Sequence, residues 1–185
     1  SSLDNLLEVF LAGGMDLFRA MRLLIPPAVR DDMDPDLRAF LQFNTMHQEP
    51  WDGPAGVVTT NGEIACCSLD RNGLRPARYS ITHDGIFTAA SETGVWDCPP
   101  ERIKRRGRLG PGEMIAVDTT SGKLWKSTAI DDSLKARHAY REWMTENVVR
   151  IWNNDEQERK AANKFMRESS ALLPTFQKLF GLTTE

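Results

Sequence analysis

At 185 residues and 20.8 kDa the chain is long enough for one large domain, or for one domain with an appendage. Its 23 Lys and Arg against 26 Asp and Glu leave a net charge of −3, which speaks against a protein built around non-specific binding to nucleic acid or to an anionic membrane. No stretch free of Asp, Glu, Lys and Arg exceeds ten residues, against the roughly 20 apolar residues a transmembrane helix needs. The first ten residues carry Asp4 and Glu8 and no base, the wrong charge for the start of a signal peptide. Cys66 and Cys67 are adjacent and Cys98 stands alone, so no disulfide scaffold is expected and a reducing compartment, the cytoplasm, fits best.

The elements fall into three zones. From 1 to 48 the pattern is helical. Ser2 is placed to cap a helix with Leu3, Leu6, Leu7, Phe10 and Leu11 on one stripe, closed by Gly13-Gly14. A second helix from about Asp16 carries Leu17, Met21 and Leu24 and stops at Pro26-Pro27. Asp34 before Pro35 reads as an N-cap and first-turn proline, with Leu37, Phe40, Leu41 and Asn44 continuing a third helix. From 50 to about 128 glycines concentrate, and strands are expected at 56–60, 63–69, 75–82, 86–90, 113–119 and 123–127. Asn61-Gly62, Asp84-Gly85 and Ser121-Gly122 sit between them as tight-turn pairs, so successive strands must be antiparallel. From 131 onward the chain is helical and densely charged. Tyr140, Met144, Val148 and Ile151 form a stripe there, and breaks are expected at Pro174 and Gly181. Helix, sheet, helix in that order predicts an α+β fold.

Local motifs carry little chemistry. Cys66 and Cys67 would point to opposite faces of a strand, which favours packing over a shared metal. The acids Asp31, Asp32, Asp34 and Asp36 resemble the start of a calcium loop, but Leu37 and Phe43 occupy the positions that need glycine and glutamate. Arg102, Lys104, Arg105, Arg106 and Arg108 make a basic run without an aromatic to stack a base, read as a solvated loop or a contact within an assembly. Residues 107–112 lack the Gly-Lys-Ser/Thr ending of a phosphate loop and lead into a strand. His47, His83 and His138 are scattered.

Two longer strings do carry information: Glu49-Pro50-Trp51-Asp52-Gly53-Pro54-Ala55, and the eleven residues Leu69-Asp70-Arg71-Asn72-Gly73-Leu74-Arg75-Pro76-Ala77-Arg78-Tyr79. With Ser2-Leu3-Asp4-Asn5, Ala90-Ser91-Glu92-Thr93-Gly94-Val95, Gly107-Arg108-Leu109 and Tyr140-Arg141-Glu142-Trp143, they resemble the class II glutamine amidotransferase domain of glutamate synthase large subunits. The resemblance implies an N-terminal nucleophile hydrolase-type αββα sandwich, of which 1–130 is the C-terminal portion and 131–185 a helical connection toward the next domain. In that family an N-terminal cysteine attacks the glutamine amide, with the α-amino group as base. The ammonia meets 2-oxoglutarate at a site served by FMN and an iron–sulfur cluster elsewhere in the polypeptide. Electrons come from ferredoxin or through a small NADPH-binding subunit, and a plant-type ferredoxin-dependent member would reside in the plastid.

On the same resemblance this sequence opens beyond the family's nucleophile, its glutamine-holding arginine and aspartate, and its oxyanion Asn-Gly pair. No catalytic or metal residue is therefore assigned, and Asn61-Gly62 is taken as a hairpin turn. Asp52, Gly53, Arg71, Asn72, Gly73, Arg75, Ser91 and Glu92 are carried as framework, with Gly73 at positive φ and Arg75 or Arg78 expected to pair with Glu92 or Asp52. The partners implied are the remaining domains of the same polypeptide, with no nucleic acid and no membrane. Two other readings stand beside this one: a self-contained hydrolase using Ser1 as nucleophile, and a noncatalytic binding module using the basic loop 102–108.

Overall fold

The computed structural model describes residues 2–149 and 173–179. They fall into two units, Ser1–Asn147 and Val148–Glu185. In the first, α1 (Ser2–Ala12), α2 (Leu17–Leu24) and α3 (Pro35–Thr45) precede the strands. Each helix starts or stops where the sequence supplies the chemistry. Asp16 caps α2 by accepting from the Arg19 N–H, and Asp34 caps α3 by accepting from the N–H groups of Asp36 and Leu37, with Pro35 in the first turn. The acidic cluster at 31–36 thus includes a helix cap. Ser2 is the first residue of α1, so its capping position falls on residue 1, outside the described residues.

Seven strands follow: β1 (Gly56–Thr60), β2 (Ile64–Leu69), β3 (Arg78–Thr82), β4 (Phe87–Ala90), β5 (Ile103–Arg108), β6 (Met114–Asp118) and β7 (Leu124–Lys126). They form two sheets, β1-β2-β6-β7 and β4-β3-β5, in which every pair is antiparallel. The chain leaves the first sheet after β2, builds the whole of the second, and returns as β6 beside β2. Helices α4 (Ser127–Lys135) and α5 (Tyr140–Asn147) close the unit and pack on α3. In the second unit α6 (Leu173–Leu179) is described.

Three expectations need correction. The basic run is a strand, not a loop. As an edge strand β5 can expose its charges, and its half-buried positions Ile103 and Gly107 were too few to give an alternating signal. The strand predicted from 75 begins at Arg78, because Pro76 has no N–H to give a ladder. Pro174 lies in the first turn of α6, where a missing N–H costs nothing, and so does not interrupt it. Val148 falls beyond the end of α5, while Ile151 and Gly181 lie outside the described residues.

The period of two along β2 sorts its side chains between two cores. Cys66 faces the helices, joining Phe18, Met21, Phe40, Met114, Ala116, Ile130 and Tyr140. Cys67 and Leu69 face the other way and join Ile115, Ala77, Tyr79 and Phe87 between the sheets. The layers are therefore helices, four-stranded sheet, three-stranded sheet.

A fully buried cation, Arg22, lies in the helical layer. The Arg22 guanidinium forks onto Asp131, with Nε to Oδ1 at 2.7 Å and Nη2 to Oδ2 at 3.0 Å. It also donates to the Ser127 hydroxyl and to the Gly112 carbonyl, both at 2.8 Å. Burial pushes the Asp131 carboxyl up, and the guanidinium beside it pulls the other way. Removing one partner of such a pair strands the other charge, so Arg22→Met should cost about 3–5 kcal/mol in urea denaturation. Arg22→Met with Asp131→Leu should recover much of that loss, because an apolar pair leaves no buried charge unmatched.

Candidate functional site

The two sequence strings meet at one corner, and Asp70 joins them. It is 3% exposed. Its Oδ2 accepts from the Ala55 N–H at 3.1 Å, while Oδ1 accepts from Asn72 at 2.8 Å and Gly73 at 3.1 Å. Its backbone takes part as well: the N–H donates to the Ala55 carbonyl at 2.9 Å, and the C=O accepts from Gly73 at 3.1 Å and Gly112 at 2.8 Å. Burial raises the Asp70 carboxyl, but the N–H groups of Ala55, Asn72 and Gly73 outweigh it and hold the group below its ordinary value.

Around that carboxylate sit most of the framework residues. Gly73 has φ +61°, as expected, and a Cβ there would lie 2.8 Å from the Pro111 Cα. Asn72 and Arg71 fill the turn, and Arg71 reaches Asp52 at 2.6 Å on the surface beside Gly53. This corrects the expected pairing of Asp52 with Arg75 or Arg78. Because Asp70 ties the 52–55 segment to its own turn, the adjacent Arg71 is the guanidinium within reach. Arg75 instead lays its Cβ 3.3 Å from the site a Cβ on Gly56 would take.

Ser91 and Glu92 are exposed in the turn after β4, and Glu92 does not pair with Arg75 or Arg78. Glu92 borders an open depression of about 710 Å³ over the outer face of the three-stranded sheet, lined also by Arg78, Trp96, Arg106 and Arg108. Of the 107–112 segment, Gly107 and Arg108 end β5 and only 109–112 is the turn into β6, where the Gly110 N–H is taken by the Glu113 carboxylate at 2.7 Å. Asn61-Gly62 is the β1–β2 hairpin turn, the Asn61 side chain accepting from the Glu63 and Ile64 N–H groups.

The described thiols do not suit nucleophilic work. Burial pushes Cys66 up to about 12 and Cys67 upward as well, so neither offers a thiolate near neutrality. Among the described residues no group of three or more His, Cys, Asp and Glu could hold a metal ion. Asp70, the residue that organises the corner, stood in the quoted string but was not singled out. The signal was present in the sequence, since Asp followed three residues later by Gly is the pattern of a turn whose first side chain caps it.

Two substitutions read this corner. Gly73→Ala should destabilise by more than about 1 kcal/mol, since it adds a left-handed strain and a collision with Pro111. A carboxyl held low in the fold contributes stability that is complete above its unfolded value of about 3.9 and is lost as pH falls through the lower folded value. Asp70→Asn should therefore unfold more easily than the wild type at pH 7, by about 1–3 kcal/mol, with the gap narrowing below pH about 4. Parallel denaturation curves at several pH values check both.

A family model described as class-II glutamine amidotransferases matches residues 1–143. The chain is 39% identical over 148 residues to the ferredoxin-dependent glutamate synthase of Antithamnion sp., covering 78% of this chain and 10% of that protein. It is 38% identical over 188 residues to the glutamate synthase [NADPH] large chain of Azospirillum brasilense, and 34% identical over 187 residues to that of Bacillus subtilis. In both cases the match covers 100% of this chain and 12% of the relative, so the chain spans about a tenth of the relatives' length. The α+β layering, with its antiparallel sheets face to face, agrees with the N-terminal nucleophile hydrolase type. The chain belongs to the class II glutamine amidotransferases.

Proposed function

We propose that these residues are framework of the glutaminase domain of a glutamate synthase, a longer protein that hydrolyses glutamine to glutamate and ammonia and passes the ammonia to 2-oxoglutarate for reduction. The observation that carries this reading is the Asp70 corner. The two strings shared with the family are locked together there by backbone N–H groups that occupy both carboxylate oxygens of Asp70. Asp52, Gly53, Arg71, Asn72, Gly73 and Arg75 shape the turn region, and Ser91 and Glu92 the turn after β4. The chain leaves the amidotransferase domain through the helices after residue 130.

The nucleophile, an N-terminal cysteine in this reading, is none of the described cysteines. Cys66 and Cys67 are buried on opposite faces of β2, and the Cys98 S–H is directed to the Pro99 carbonyl at 3.7 Å. These thiols do not fit an iron–sulfur cluster either, so FMN and the cluster belong to other domains of the longer protein. Similarity to both ferredoxin-dependent and NADPH enzymes keeps both electron sources in view. The compartment is the cytoplasm, or the plastid in a plant-type ferredoxin enzyme. Among the described residues no helix is long and apolar enough to cross a membrane.

The alternative with Ser1 as nucleophile is disfavoured because the chain from Ser2 is helix, whereas such nucleophiles open a strand. The binding-module alternative loses its loop, since 103–108 is a strand.

The polypeptide 1–185 should release no ammonia from glutamine. In the longer protein, Cys66→Ala and Cys67→Ala should keep glutamine-dependent ammonia release within about threefold of wild type, as expected of inert buried thiols. Turnover by 1–185 above a heat-killed control, or abolition by either cysteine substitution with the fold intact by circular dichroism, would refute the framework reading.

A further inference from the structure

We draw no further inference here: the strongest candidate, the depression of about 710 Å³ over the outer face of the three-stranded sheet with Arg78, Arg106 and Arg108 along it, carries nothing, since nothing in the structure shows what covers it.

Discussion

The corner at Gly112 holds the two halves of the first unit in register. Its N–H donates to the Asp70 carbonyl and its C=O accepts from Arg22, so one residue links the turn after β2 to the buried cation of the helical layer. From Arg22 the connection continues to Asp131 and Ser127 on α4, and the Ser127 hydroxyl also accepts from the Met114 N–H at the start of β6. The approach leaves no room for a side chain. A Cβ on Gly112 would sit 2.7 Å from the Pro27 Cβ, and φ at this residue is +68°. Glycine is required there by close packing and by backbone conformation together.

This network explains why polar groups sit so deep. A buried guanidinium is tolerated when its donors are matched, and here three nitrogens meet a carboxylate, a hydroxyl and a carbonyl. Its geometry is also specific. The fork sets the distance of α4 from α2, and the carbonyl contact sets both against the turn that begins β6. An apolar core alone, with Phe18, Met21, Phe40 and Ile130 on the helical side, would leave the sliding of helices over the sheet less constrained. Arg137 adds a surface tie by pairing with Asp16, the residue that caps α2.

How far the sequence reveals this depends on where each element's signal is stored. Helices α2 and α3 were legible because caps, proline and a periodic apolar stripe all sit within the segment itself. β1 and β2 were legible because Asn61-Gly62 joins two β-branched or apolar runs. β5 was not, because what makes it a strand is its ladder with β3, where Tyr79 stands opposite Gly107. That ring lies so close over Gly107 that a Cβ there would come within 2.3 Å of it, and a run rich in arginine shows nothing of that neighbour. The Arg71–Asp52 pair escaped for a related reason. Choosing among Arg71, Arg75 and Arg78 requires the path of the 52–55 segment, which Asp70 determines across the ladder.

Seven of the eleven residues that most clearly mark the family meet folding requirements. Leu69 fills the space between the sheets, Asp70 caps the turn and anchors Ala55, and Arg71 pairs with Asp52. Gly73 supplies the left-handed step against Pro111, and Arg75 covers Gly56. Ala77 is buried and accepts from the Leu109 N–H at 2.9 Å, while Tyr79 packs over Gly107 and stacks on Phe87 at 6.0 Å. A string can thus identify a family through its folding requirements, because a sharp corner between two sheets restricts its residues tightly. The letters that place this chain among amidotransferases describe how the sandwich turns.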